Sequence, residues 1–420
     1  MADMTLREPA GLSTADGTPL KSALARAQRR AQWRALGLVL PLLIFVLLTF
    51  IVPIGQMLYR SVYNPGFSEN MPEISAWFAD HPQGTDPDET AYSALINDLR
   101  ASSDAKTIGV VGTRINYEVS GSRSLFTSFA RKAKDLQPPY KDGMIALDEK
   151  WGDPMLWSAM RNASTPHTTN FYVAALDREI GADGSVQKVR EESRIYVPLF
   201  WRTMFISGVI AAICLLLGFP VAHLLATLPL RHSNLLMILV LLPFWTSLLV
   251  RTTSWMVLLQ SQGVVNNVLV SMGIVSDANR IQMMYNQTGT IIAMTHILLP
   301  FMILPLYSVM RNIKPTYVRA ARSLGANNWT AFWRVYVPQT VPGMGAGILL
   351  VFILAVGYYI TPALVGGSTG QLFSNMIAFH MQKSLNWSLA AALASILLGA
   401  VLLLYWLYDR LVGIDNMKLG

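Results

Sequence analysis

The residues of this 420-residue chain best suited to chemistry lie in two places. The first runs Lys314-Pro315-Thr316-Tyr317-Val318-Arg319-Ala320-Ala321-Arg322-Ser323-Leu324-Gly325-Ala326-Asn327-Asn328-Trp329. Pro315 suits the first turn of a helix and Gly325 its C′ position. Asn327 or Asn328 can cap a second short helix running through Trp329, Phe332 and Trp333. The chemistry on offer is recognition. The alanines give a narrow face, Tyr317, Leu324 and Phe332 give apolar knobs, and such an element suits a groove in another protein. The same residues also read as an amphipathic connector lying on a membrane surface. The second place is Arg251, a charge inside an apolar run, where it is costly; Thr252, Thr253, Ser254 and Trp255 follow it. Arg251 either faces a polar pathway or snorkels to the interface. His296, like His223 and His380, is expected to be a satisfied histidine inside a helix bundle. Tyr358 and Tyr359 fit an aromatic cage for an organic cation, or an interfacial tyrosine belt.

Other chemistry is missing. There is no G-x-x-x-x-G-K-[ST] loop to cradle phosphates, no H-E-x-x-H and no G-x-S-x-G elbow. The sequence offers no catalytic set and no metal site, and this chain is not expected to hydrolyse ATP alone. The single cysteine, Cys214, excludes a disulfide scaffold.

These residues must be positioned by membrane helices. Hydrophobic residues make up 52% of the chain and charged residues 14%, too apolar for a disordered chain and too poor in charge for an ordinary soluble one. Six runs are long enough to cross about 30 Å of hydrocarbon: Leu36 to Tyr59, Val197 to Leu228, Leu235 to Leu259 (interrupted by Arg251), Gly289 to Met310, Val337 to Ile360 and Ser388 to Tyr408. The first could pass for a signal peptide, but it is long, follows a polar leader and is not followed by a small-x-small cleavage site, so it reads as retained. Short basic loops set the orientation. Lys21, Arg26, Arg29, Arg30 and Arg34 precede the first run, Arg231 lies between the second and third, and Arg311, Lys314, Arg319, Arg322 and Arg334 lie between the fourth and fifth. Arg410 and Lys418 follow the sixth. All fall on one side if both termini are cytoplasmic.

Residues 61–196 form a polar island with 14 basic and 19 acidic side chains; the rest holds 19 basic and 6 acidic. The net charge of +8 is therefore a basic cytoplasmic rim plus a mildly acidic outside segment, which argues against a nucleic-acid partner. In the island, Asp86-Pro87-Asp88-Glu89 reads as N-cap, N1 proline and acidic N3. Tyr92, Leu95, Ile96 and Leu99 follow at helical spacing, and Leu125, Phe126, Phe129 and Leu136 mark another amphipathic stretch. Residues 107–119, rich in β-branched types, suggest a strand. Trp151, Trp157, Phe171 and Tyr172 could supply a small core. The expected division is a leader 1–35, a first membrane helix 36–60, an extracytoplasmic (periplasmic) α or α+β insertion 61–196, a membrane core 197–410 with a loop at 311–336, and a tail 411–420.

Ala320-Ala321, Gly325 after three residues, and Val335-x-Val337-Pro338 after nine more resemble the EAA loop of permease subunits of binding-protein-dependent ABC importers; Arg319 stands where that pattern has Glu. Pro243-Phe244-Trp245-Thr246-Ser247-Leu248-Leu249-Val250-Arg251, Leu298 through Ser308, and Ile360-Thr361-Pro362-Ala363-Leu364-Val365-Gly366-Gly367 are similar to segments of the spermidine/putrescine permeases. The likeness covers roughly 197–408 and, more weakly, the first helix. It implies an all-α integral membrane protein with the six-helix type I importer permease fold, in the bacterial inner membrane. It implies two permease subunits, the second a different chain, two ATPase subunits that bind ATP-Mg, and a periplasmic solute-binding protein. On this reading Arg319, Ala320, Ala321, Leu324, Gly325, Ala326, Trp329 and Pro338 belong to the ATPase-coupling loop. Trp245, Arg251, Ser254, Trp255, His296, Tyr358, Tyr359 and Thr361 are pathway candidates, and this chain binds no cofactor itself. The solute is expected to be a small organic compound, polyamine-like, opine-like or amino-acid-derived. Polyamine permeases usually carry an acid after the glycine where this chain has Gly357-Tyr358, and none of the six runs holds an acid. Two rival classes remain: a membrane-anchored sensor with the island as its ligand domain, and an integral membrane enzyme.

Overall fold

The computed structural model describes residues 20–181 and 183–412, with side chains from residue 24 to 410. The first part of the expected leader, Lys418 and the rest of the expected tail from 413 on lie outside the described residues.

The chain opens with α1 (Leu20–Val46), a π-helical turn (Leu47–Ile51) and α2 (Val52–Arg60). Helix therefore begins within the expected leader, well before the apolar run. Thr49 Oγ1 donates back to Phe45 O (2.7 Å), the bond by which a buried-in-lipid threonine satisfies its hydroxyl. Apolar side chains are exposed along the helix, the pattern of a membrane span. The remainder of the chain is a second unit.

Residues 61–195 fold as a helical layer: α3 (Pro72–Asp80), α4 (Glu89–Asp104), α5 (Ile108–Asn116), α6 (Ser122–Lys132), α7 (Tyr140–Leu147), α8 (Pro154–Ala163) and α9 (Asn170–Ala175). An antiparallel hairpin, β1 (Arg178–Ile180) with β2 (Val186–Lys188), follows. Tyr92, Leu95, Ile96 and Leu99 all point inward, as their spacing predicts. The core centres on Trp151, whose carbonyl accepts from Tyr92 OH (2.9 Å) and Trp157 Nε1 (2.7 Å).

Three expectations fail here. The N-cap of α4 is Asp88, which accepts from Ala91 N, rather than Asp86. Residues 107–119 hold α5 (Ile108–Asn116) and the turn after it, not a strand. Val111, Gly112 and Ile115 make a helical buried face, and Gly112 lies so close to α6 that a Cβ would sit 3.1 Å from Arg123 Cα. Packing overrides β propensity. Phe171 and Tyr172 do not enter this core; they pack on the last membrane helix with Leu389 and Leu393.

One buried acid in this layer gives a pH prediction. Asp98, 2% exposed, accepts from Glu73 N (3.2 Å) and Ile74 N (2.8 Å) at the start of α3. Burial pushes its carboxyl up to about 6, against the pull of those two bonds. A carboxyl raised on folding is protonated in the folded state first. Its stabilising contribution is therefore complete below about pH 4 and lost as pH rises through about 6. Relative to Asp98→Asn, the wild-type chain should gain on the order of 2 kcal/mol between about pH 7 and about pH 4. Thermal unfolding of the full chain in detergent at both pH values measures this, and a constant difference would refute it.

Asp177 joins this layer to the membrane helices. Its buried carboxylate accepts from Ile195 N (3.0 Å), Tyr196 N (3.0 Å) and Val197 N (2.7 Å), capping α10 (Tyr196–Thr227). Then come α11 (Leu230–Leu241), α12 (Leu248–Leu259), α13 (Val264–Ser271), α14 (Gln287–Asn312), α15 (Pro315–Ser323), α16 (Asn328–Ala331), α17 (Val337–Gly357), α18 (Ile360–Val365), α19 (Phe373–Gln382) and α20 (Trp387–Val412). Helices α10, α14 and α17 enclose a core with Ile206, Cys214, Leu298, Met302 and Val351. Glycines let the backbones meet: a Cβ at Gly347 would lie 2.6 Å from Met302 Sδ, and one at Gly343 3.0 Å from Val309 Cβ.

Among the described residues, five helices are long and apolar enough to cross a membrane, or six if one bent pair counts as a single span. That pair corrects the third run. It is not one straight helix: Leu230–Trp245 and Leu248–Ser271 meet at 96°. Pro243 cannot continue the hydrogen-bond ladder, and Ser247 caps the new helix by accepting from Val250 N. Arg251 therefore sits in the first turn of α12, so a snorkelling distance counted along a straight helix does not apply. The second short helix expected after Asn327 is also different. It continues through a π-helical turn (Phe332–Tyr336) into α17 as one span from Asn328 to Gly357.

Candidate functional site

The segment 314–329 folds as its local signals predict. Lys314 precedes α15 and Pro315 is its first residue. Gly325 takes φ +91°, a left-handed conformation open to glycine. Ala326 N donates to Ala321 O (3.0 Å) and Gly325 N to Arg322 O (3.0 Å), the paired bonds of a Schellman closure. Asn327 Oδ1 then accepts from Thr330 N (2.8 Å) to start α16. Val318, Ile313 and Phe332 face the membrane core, and Arg311 Nη1 donates to Ala226 O (2.8 Å) at the end of α10. The other side is bare: Leu324 is 89% and Trp329 71% exposed, and Tyr317, Arg319, Ala320 and Pro338 are exposed too. Ala321 and Ala326 are half-buried. Arg319 makes no ion pair among the described residues.

The structure gathers most, but not all, of the other candidates. Trp255 Nε1 donates to His296 Nδ1 (3.1 Å), joining α12 to α14. Thr252 and Thr361 hydroxyls lie 3.2 Å apart in a buried contact joining α12 to α18. Arg251 is half-buried, and its Nε is enclosed without a hydrogen-bond partner. Tyr358 O accepts from Ser374 Oγ, and Tyr359 O from Asn375 Nδ2 (2.8 Å). Trp255–His296 and Thr252–Thr361 thus tie the helix that carries Arg251 to α14 and to α18, which follows Tyr358 at the end of α17. Trp245, 74% exposed on the turn before α12, stands apart. So does Ser254, whose hydroxyl bonds back to Val250 O (2.8 Å). The ring of Tyr359 is exposed.

Ser374 and Asn375, which hold the two tyrosine carbonyls, gave no sequence signal of their own. The nearby Gly366-Gly367 did: Gly367 has φ +54°, and a Cβ there would sit 2.2 Å from Tyr285 O. His296 is satisfied, as expected, and so is His380, between Tyr196 OH (2.8 Å) and Ser384 Oγ (2.8 Å). His223 departs from expectation: its Nδ1 is buried without a partner, and its ring meets the stacked rings of Phe332 and Tyr336 edge-on. No group of three or more His, Cys, Asp or Glu among the described residues could hold a metal ion.

Long apolar helices and a helical core with small-residue contacts define a multi-pass membrane protein. Residues 194–413 match the family described as "Binding-protein-dependent transport system inner membrane component", and the chain belongs to that family. The spermidine/putrescine transport system permease protein PotB of Haemophilus influenzae is 38% identical over 224 residues, 53% of this chain and 78% of that protein. PotB of Escherichia coli is 36% identical over 228 residues, 53% of this chain and 82% of that protein. Among solved structures, a bacterial alginate ABC transporter in complex with an alginate pentasaccharide-bound periplasmic protein matches 55% of this chain and 82% of that chain, at 19% identity and a TM-score of 0.43.

Proposed function

We propose that this chain is the transmembrane permease subunit of an ATP-driven importer that moves a small organic solute by alternating access. The solute belongs to the polyamine-like, opine-like or amino-acid-derived class. In this reading, ATP-Mg is bound and hydrolysed by two partner ATPase subunits. A second, different permease chain completes the pathway, and a periplasmic solute-binding protein delivers the solute. The basic rim supports a bacterial inner-membrane orientation with both termini and the 311–336 loop cytoplasmic, and the 61–196 layer outside.

The observation that carries this reading is the closed helix–glycine–helix element with Leu324 and Trp329 held bare beside Arg319 and Arg322. Large exposed apolar side chains on a rigid turn are the anchors by which a helix seats in a groove. Through Arg311, Val318 and Phe332 the element is fixed to α10 and α17, so movement of an ATPase groove would be passed to the helices around Arg251. Leu324→Asp combined with Trp329→Ala should cut co-purification of the ATPase subunit by about tenfold or more, on the scale of losing two interface anchors. Membrane insertion should stay unchanged, because both side chains are exposed. Undiminished co-purification of that variant would refute the coupling role.

A further inference from the structure

The polar layer carries a pocket that the importer reading does not use. Its volume is about 400 Å³, and Lys106, Val110, Thr113, Arg114, Tyr117 and Arg123 line it with Asn64. Three of the lining residues are cationic and none is acidic. Lys106 and Arg123 are exposed and make no ion pair among the described residues. Arg114 is different: its side chain is 2% exposed. Its Nη1 donates to Glu118 Oε1 (2.7 Å), but Nε and Nη2 are buried with no hydrogen-bond partner. Its guanidinium lies 5.2 Å from the ring centroid of Phe171. A buried guanidinium with open donors is costly, and two further cations at the same pocket add repulsion. An anion in the pocket relieves both.

The position of the pocket says which anion. Asn64 Nδ2 donates to Ser388 Oγ (3.0 Å), and Tyr117 OH donates to Leu385 O (3.1 Å). Ser388 lies at the start of the apolar span Trp387–Arg410. The pocket is therefore tied to the first turn of that apolar span, the end at which α20 would meet the lipid headgroups. Val110 in its lining, and Leu385 and Trp387 beside it, are exposed apolar side chains suited to the glycerol and upper acyl region.

We propose that this pocket binds the phosphate of an anionic phospholipid headgroup. Lys106 and Arg123 reach the phosphate oxygens, and Arg114 supplies a fixed positive field behind them. The site fastens the polar layer to the membrane surface at its junction with α20.

The test titrates phosphatidylglycerol, phosphatidylcholine or inorganic phosphate against the full chain in detergent, with bound ligand read by native mass spectrometry. Lys106→Gln/Arg123→Gln should weaken phosphatidylglycerol binding by about tenfold or more, the scale of removing two cations from beside a charged headgroup. Lys106→Arg/Arg123→Lys, which keeps the charge, should bind like the wild type, and phosphatidylcholine should bind more weakly than phosphatidylglycerol throughout. Equal phosphatidylglycerol binding by the wild type and the glutamine variant overturns the proposal. So does an equal loss in the charge-keeping variant. If inorganic phosphate binds the wild type but not the glutamine variant, while phosphatidylglycerol binds neither, the lipid source is overturned and a free phosphate site takes its place.

Discussion

Replacing Gly325 by valine should abolish most uptake while leaving the chain inserted in the membrane. Gly325 sits at φ +91°, and a Cβ there would meet nothing within 4 Å, so the substitution introduces no clash with a neighbouring side chain. The cost lies in the backbone: an L residue in this region loses roughly 1–2 kcal/mol, and a β-branched one more. That is enough to open the turn. An exposed helix as short as α15 has little stability of its own, so the Schellman bonds at Ala321 and Arg322 hold its end. Once they break, Leu324 and Trp329 lose their fixed separation. On the coupling role proposed above, solute uptake should fall by about tenfold or more, the scale of a lost interface anchor. Gly325→Asn should keep most activity, because asparagine tolerates the left-handed region. Normal uptake by Gly325→Val would show that this turn geometry is not needed. Equal loss in both variants would point to side-chain size rather than backbone conformation.

That element was legible in the sequence because its determinants are local. Pro315, Gly325 and Asn327 each act on their own turn, and the structure puts each in the role its chemistry favours. The long apolar helices were legible for a similar reason, since length and composition alone decide whether a helix can span lipid. The break before α12 was written in Pro243 and Ser247, but the continuous apolar run from Leu235 masks it when hydropathy is read first. Residues 107–119 misled because intrinsic β preference is weak beside packing, here the approach of Gly112 to α6. The pairings Thr252–Thr361 and Trp255–His296 span 109 and 41 residues, and no local pattern encodes a contact of that range. Phe171 and Tyr172 look like core aromatics in composition. Only the placement of α9 against α20 shows that they join the polar layer to the membrane helices.

Replacing Arg251 by methionine should raise or preserve stability while changing transport in a direction set by the charge of the solute. Arg251 makes no ion pair among the described residues, and its Nε is enclosed without a partner. A partly buried charge with no counter-charge is a net cost, so a side chain of similar length without charge relieves it. A residue held at that cost calls for a role, and its helix is tied to α14 by Trp255–His296 and to α18 by Thr252–Thr361. The sign of the transport effect also discriminates solute classes. A solute with a carboxylate would use Arg251 as its counter-ion, and Arg251→Met should then raise the KM for uptake by roughly tenfold or more, the cost of a lost charge-assisted hydrogen bond. Arg251→Lys should recover part of it. A polycation would be repelled by the same guanidinium, and Arg251→Met should then lower its KM. Uptake measured in vesicles containing the whole importer, with the thermal midpoint of each variant taken alongside, separates these outcomes. A variant with unchanged uptake of its solute would remove Arg251 from the pathway, whatever its stability.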